Sequence, residues 1–164
     1  MKSFLRMVMT AALLAPALLS PVSARSQSAG ELDALLDAPA VTYDTAARFV
    51  LAAADTDAPL EGDAAFRYAQ ERRWLPSWVT AGETARLGPL SLLIMQAFGL
   101  KGGLAYTFFP NAHYAYHELS SRRIIQDRAD PELPVSGDWL FFMIGRVLAG
   151  SGEDLMEEAG DAFR

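Results

Sequence analysis

The sequence predicts a mostly α-helical fold made of three helix-loop-helix repeats, of which the first is incomplete, followed by a C-terminal helix. The main observation is an apolar pattern that occurs three times, in segments 41–51, 87–97 and 135–145. A spacing of about 40–50 residues is typical of supersecondary units that bury their apolar faces against each other. A second helical pattern precedes two of the three segments, which completes the repeating unit.

Each of the three segments has the features of a helix start. Thr42, Gly88 and Ser136 are residue types that suit the N-cap position. Apolar residues then align at helical spacing and predict a buried stripe on each helix. The aligned sets of positions are 46/92/140, 47/93/141, 49/95/143 and 54/100/148.

The additional helices are predicted in segments 65–75 and 115–125, which align at an offset of 50 and both end in an Arg-Arg pair followed by two large apolar residues. A similar offset places the leading helix of the first repeat inside the N-terminal leader, so that repeat lacks it. The uncovered face requires another helix. Segment 31–37 is favoured over the C-terminal helix because a short connection keeps sequential elements adjacent.

The N-terminus has the pattern of a secretory signal. Lys2 and Arg6 precede an apolar run at 7–19, and Val22-Ser23-Ala24 supplies small residues for cleavage after Ala24. We therefore expect residues 1–24 to be a signal peptide, 25–152 to be the repeat domain and 153–164 to be an amphipathic helix after a break at 150–152. The expected location is the periplasm or cell envelope, with no transmembrane segment after cleavage.

Composition and charge narrow the range of partners. Hydrophobic residues make up 51% of the chain and charged residues 21%, as in globular proteins. The net charge is −6 and becomes −8 when Lys2 and Arg6 are removed with the signal. Such a chain has no general attraction for nucleic acid or anionic lipid, although local basic clusters remain possible. The chain has no cysteine, which excludes disulfides and a lipid-modified cysteine.

The order of an apolar helix, a loop with Asp-Pro or Gly, a hydrophobic residue, a cap and a second helix resembles the S-layer homology domain. The third repeat, 116–136, is the most similar. The resemblance covers 41–148 and implies a pseudo-threefold helical bundle that binds cell-wall polysaccharide. The repeats are degenerate, because all three lack the Thr-Arg-Ala-Glu stretch with which that family often contacts its ligand.

The resemblance points to candidate ligand-binding residues. Trp78 and Arg86 precede the second capped helix, at the position most similar to the family's ligand groove. Tyr114 would add an aromatic face for a sugar ring, and Arg123 a donor for an acidic sugar. The alternative for the aromatic residues is burial in the core, which is more common for large aromatic side chains.

Other residues with possible chemistry have simpler interpretations. His113 and His117 stand four residues apart beside Glu118, but without a clear third ligand a surface pair is expected and no metal is predicted. Asp127 and Asp130 are typical of a solvated turn. The sequence has no phosphate-binding glycine loop and no nucleophile elbow, so we expect a non-enzymatic protein without a cofactor.

The expected function is therefore to bind or organise cell-wall polysaccharide or peptidoglycan in the cell envelope. The alternative is a periplasmic adaptor that contacts another protein and has lost sugar binding. One segment remains outside both interpretations: the aromatic and β-branched residues of 104–111 predict an extended stretch that ends in a turn.

Overall fold

The computed structural model describes residues 29–61, 63–126 and 129–161, with the backbone alone for 151–161. The proposed signal peptide, 1–24, lies outside the described residues. Helices dominate the described chain, and its only β-type pairings are isolated bridges between Thr42 and Thr84 and between Arg86 and Pro134. The prediction of a mostly α-helical fold is confirmed. The helices are α1 (Ala29–Leu36), α2 (Tyr43–Ala53), α3 (Ala64–Glu71), α4 (Leu87–Ala97), α5 (Leu104–Phe108), α6 (Ala112–Ser121) and α7 (Gly137–Asp161).

The helices pack in pairs around one hydrophobic core. α2 lies against α3, α4 against α6, and α1 against α7. Phe49, Met95 and Met143 come from the three capped helices α2, α4 and α7, and all three are at most 4% exposed. The prediction that these three residues are buried is therefore confirmed.

Hydrogen bonds join the segments in front of α2, α4 and α7. The Val41 N–H donates to the Val135 carbonyl at 2.8 Å, the Val135 N–H to the Ala85 carbonyl at 3.0 Å, and the Ala85 N–H back to the Val41 carbonyl at 2.8 Å. The three bonds form a closed cycle. All three residues are almost fully buried, so the cycle satisfies backbone groups that water does not reach.

The first amides of α2 and α4 donate to backbone carbonyls of another loop. The pairs are Tyr43 with Glu83, Asp44 with Ala81, Leu87 with Leu133, and Gly88 with Pro131. The prediction of Gly88 as an N-cap is wrong: the N-cap of α4 is Arg86, and Gly88 lies within the helix. Because remote carbonyls satisfy these amides, α4 does not need a capping side chain, and the residue type carries no signal.

The predicted buried stripe of the third repeat is wrong at two positions. Phe141 is 46% exposed and Leu148 is 49% exposed. α7 is 25 residues long, whereas its partner α1 has only eight, so part of the apolar face of α7 has no helix covering it. Because α4 begins two residues earlier than predicted, its positions in the aligned sets are also shifted by two residues.

The expected break at 150–152 and the expected lack of a helix in front of α2 are both wrong. α7 runs without interruption through Gly150 and Gly152 to Asp161, because a glycine costs a helix only about 1 kcal/mol and does not by itself end it. α2 does have a helix in front of it, since α1 occupies Ala29–Leu36, overlaps the favoured segment 31–37, and packs against α7. The constant offset failed because the connection from α1 to α2 is shorter than the one from α3 to α4.

Segment 104–111 begins with helix α5 and is not extended as predicted. The Thr107 N–H donates to the Gly103 carbonyl at 3.0 Å, and the Phe109 N–H to the Ala105 carbonyl at 3.0 Å. Aromatic and β-branched residues favour a strand only where a neighbouring strand can pair with it. Within the described residues no such strand exists, so local helical bonds satisfy the backbone.

Candidate binding groove

Trp78 and Arg86, both predicted from the sequence, line the same groove. The groove has a volume of about 480 Å³ and lies where the loop before α4 meets the start of α2. Its other lining residues are Tyr43, Glu83, Thr84 and Glu132. The structure therefore brings an aromatic face, a guanidinium and two carboxylates to one surface.

Backbone and side-chain contacts hold Arg86 in position. Its backbone N–H donates to the Tyr43 hydroxyl oxygen at 3.2 Å. Its Nη1 donates to the backbone carbonyl of Glu132 at 3.1 Å and to the carboxylate of the same residue at 3.3 Å. The side chain is 51% exposed, so the ion pair orients the guanidinium more than it stabilises the fold.

Tyr43 forms the floor of the groove. It is only 1% exposed, and desolvation by burial raises the pKa of its phenol. The group therefore stays protonated at neutral pH, and its hydroxyl keeps a proton to donate while its oxygen accepts from Arg86. The hydroxyl fixes the backbone of Arg86 at the edge of the groove.

Trp78 separates this groove from a second one. It is 64% exposed, which rules out the alternative that it belongs to the core. The second groove also has a volume of about 480 Å³, and Arg73, Pro110 and His113 are among its lining residues. Trp78 therefore lines both grooves.

The other two predicted residues, Tyr114 and Arg123, do not line the groove with Trp78 and Arg86. Tyr114 lies in the first turn of α6, where its backbone N–H donates to the Asn111 side chain at 3.1 Å, and its ring packs partly against the core. Arg123 is exposed just after α6, with a φ of 58°. The four candidates therefore do not form one site.

Sequence reasoning missed four lining residues of the groove, namely Tyr43, Glu83, Thr84 and Glu132. Glu132 reaches Arg86 across 46 positions of the chain, and a local pattern carries no sign of such a pairing. Tyr43 stood at a predicted helix start, but its burial against the next loop depends on the tertiary fold. The repeat alignment was the only available signal, and its two-residue error obscured this contact.

The histidine pair lies on the surface of α6. The ring centroids of His113 and His117 are 4.5 Å apart, and both side chains are exposed. Among the residues that the structure describes, no group of three His, Cys, Asp or Glu side chains is arranged to hold a metal ion. No described helix combines the length and apolar character needed to cross a bilayer.

Comparison with known proteins adds no family assignment, because no family model, curated protein or solved structure matches the chain.

Proposed function

We propose that this is an exported, non-enzymatic cell-envelope protein that binds or organises cell-wall polysaccharide or peptidoglycan. The observation that carries the proposal is the groove in which Trp78 and Arg86 lie together. An exposed indole stacks on the apolar face of a sugar ring, and a guanidinium pairs with a carboxylate such as that of an acidic sugar or a peptide stem. Both groups line this groove, where the buried Tyr43 holds the backbone of Arg86.

The geometry of Arg86 suits such a ligand. Its contacts with Glu132 use Nη1, and the planar guanidinium carries further N–H donors on Nε and Nη2. Glu83 and Glu132 add acceptors for hydroxyl groups at the rim. A neutral or zwitterionic saccharide would meet both donors and acceptors, whereas a polyanion would meet two carboxylates.

We also propose that the three units, α1–α2, α3–α4 and α6–α7, are related by a pseudo-threefold axis, as the resemblance to S-layer homology repeats implies. Support comes from the cycle of bonds through Val41, Ala85 and Val135. Further support comes from the start of α2 and α4, whose first amides donate to matching positions of the following loop. When the three units are aligned on these bonds, residues 41, 85 and 135 occupy corresponding positions.

Retention on purified peptidoglycan sacculi tests the proposed function. Trp78→Ala and Arg86→Ala should each lower retention roughly tenfold, the effect expected for one stacking or charge-assisted contact. The matched controls are Phe141→Ala, which removes another exposed aromatic, and Arg67→Ala, which removes an arginine paired with Asp63 at the surface. Both controls should bind as the wild type does.

A protein-protein adaptor is the second candidate, and the uncovered face of α7 favours it. Phe141 and Phe142 are 46% and 40% exposed beside Leu36, along a surface groove of about 980 Å³. An apolar face of this kind often marks a contact with another protein. No retention of the wild-type protein on sacculi would contradict polysaccharide binding and leave the adaptor as the better explanation.

A further inference from the structure

Three neighbouring apolar side chains project from the connection between α4 and α6. Leu104 is 79% exposed, Phe108 71% and Phe109 67%, and we call these three residues the α5 tip. Leu104 and Phe108 stand four residues apart on α5 and so share one face of that helix. Exposure of three large apolar side chains within six residues is costly in water and indicates a surface that meets an apolar phase or partner.

Two basic side chains lie near the start of α5. Lys101 is exposed just before it, and the exposed Arg122 donates from Nη2 to the Lys101 carbonyl. The only carboxylate in segment 101–123 belongs to Glu118, and it accepts from the Gly103 N–H at 2.8 Å. With Lys101, Arg122 and Arg123 against Glu118, this segment has a net charge of +2, although the whole chain has −6.

The corresponding connection in the preceding part of the chain has the opposite character. Between α2 and α3, segment 54–63 carries four acidic residues and no basic one. Its only large apolar residue, Leu60, packs partly against the core. Apolar exposure combined with positive charge is therefore specific to the α5 connection and is not a general property of the loops that follow capped helices.

We propose that the α5 tip docks on an anionic lipid bilayer. Leu104, Phe108 and Phe109 enter the boundary between headgroups and acyl chains, and Lys101 and Arg122 contact lipid phosphates. Interfacial binding requires this combination of buried apolar area and attraction between basic side chains and anionic lipid. The acidic remainder of the chain is repelled by the same surface, so it orients the protein with the tip toward the bilayer. This inference does not rest on the proposed binding of cell-wall polymer.

The absence of cysteine permits a site-specific test in the full chain. Phe108→Cys, labelled with an environment-sensitive fluorophore, should shift its emission to the blue on phosphatidylcholine vesicles that contain phosphatidylglycerol, and much less on phosphatidylcholine alone. Leu148→Cys is the matched control, because Leu148 is an exposed apolar residue on α7. It should show no shift. Leu104→Cys provides a second reporter if Phe108→Cys does not fold.

Charge and apolar area can then be varied separately. With the label at position 104, Lys101→Glu should weaken partition onto the anionic vesicles by roughly tenfold or more, since it removes one attractive charge and adds a repulsive one. Phe108→Ser with Phe109→Ser should weaken it on the order of a hundredfold, because two aromatic side chains no longer enter the interface. Arg67→Glu, on the exposed side of α3, is the control for charge reversal and should have a much smaller effect.

Three results would overturn the proposal. The first is no emission shift at position 108 or 104 on anionic vesicles. The second is an equal shift at position 148, or an equal shift on vesicles without anionic lipid. The third is a shift at position 108 that grows with protein concentration in the absence of vesicles, which would assign the α5 tip to contact with a second copy of this chain.

Discussion

Four helices end in the same backbone arrangement, and two of them use an arginine where glycine is the usual choice. After α3, the Arg73 N–H donates to the Gln70 carbonyl and the Trp74 N–H to the Ala69 carbonyl, which is the Schellman pattern. The φ of Arg73 is 60°. The same arrangement follows α2, α4 and α6, with Asp55, Gly99 and Arg123 in the left-handed region. This explains the Arg-Arg pair in the sequence: the second arginine ends the helix, and an apolar residue follows it.

Arg123→Gly should stabilise the protein by about 1 kcal/mol. An L-residue in the left-handed region costs roughly 1–2 kcal/mol, and glycine removes most of this strain while adding some entropy to the unfolded chain. The midpoint of urea unfolding should therefore rise, and the dependence of the unfolding free energy on urea concentration should not change. Arg122→Gly is the control, since Arg122 has no positive φ, and it should destabilise. Equal effects of the two changes would contradict the strain argument.

Because of two buried phenols, the free energy of unfolding should depend on pH in the alkaline range. Burial raises the pKa of Tyr43 and Tyr106 above the ordinary value of about 10. A raised pKa in the folded state means that the stabilisation is complete below pH 10 and is lost as the pH rises toward the folded pKa. Tyr43→Phe should therefore weaken the fall in unfolding free energy between pH 9 and 11, measured by urea titration. If the unfolding free energy of Tyr43→Phe fell with pH as steeply as that of the wild type, ionisation of the phenol would not destabilise the folded protein.

At the scale of helices, the contact between α1 and α7 depends on a glycine. A Cβ atom on Gly137 would lie 1.6 Å from the Leu35 carbonyl oxygen, which no side chain can tolerate. The Gly137 N–H also donates to the Ala38 carbonyl at 2.9 Å. Gly145, in the same helix, has nothing within 4 Å of the corresponding position. The two glycines therefore have different roles in one element.

Gly137→Ala should separate α1 from α7 and lower the melting temperature, because the backbone of one helix would have to move. Gly145→Ala should leave stability unchanged or raise it by about 1 kcal/mol, since alanine has the higher helix propensity. Thermal unfolding followed by circular dichroism distinguishes the two. A Gly137→Ala variant that melts like Gly145→Ala would show that α1 does not pack closely in solution.

Deletion of 31–37 should destabilise the protein, whereas removal of 153–164 should not. The first removes most of α1, including the buried Leu35 and the partner of the Arg48 ion pair with Glu31 at 3.2 Å. The apolar face of α7 would then be exposed, so we expect a lower melting temperature and association in sedimentation experiments. The C-terminal truncation should change neither measurement. The reverse ranking would assign the covering role to the end of α7.

Across the whole molecule, the described helices share one core and no linker divides them. The buried residues of α2, α4 and α7 belong to a single cluster, and the cycle through Val41, Ala85 and Val135 joins the three capped helices at their starts. A domain of this size with one core normally unfolds in a single transition. We therefore expect a destabilising substitution in one capped helix to unfold the other two as well.

Met143→Asp should unfold the entire described fold. Met143 is fully buried in α7, and an unpaired carboxylate there costs several kcal/mol against a total stability of about 5–15 kcal/mol. Helical circular dichroism and the protection of amides in α2 and α4 should be lost together. Leu148→Asp, at an exposed apolar position of the same helix, is the control substitution and should leave the fold intact. Persistent amide protection in α2 and α4 of the Met143→Asp variant would mean that the repeats fold independently.

The sequence alone determined the helical class, the positions of most helices and the apolar residues at their centres, because periodicity and helix-ending signals are local. It also indicated Trp78 and Arg86, which share one groove. The tertiary structure decided what lies opposite them. Glu132 reaches Arg86 from 46 positions away, and Glu83 and Ala81 satisfy the first amides of α2. Such contacts depend on how separate loops pack together. A local stretch of sequence does not indicate which distant residue it will contact. For the same reason, only the fold showed that Phe108 and Phe141 remain exposed.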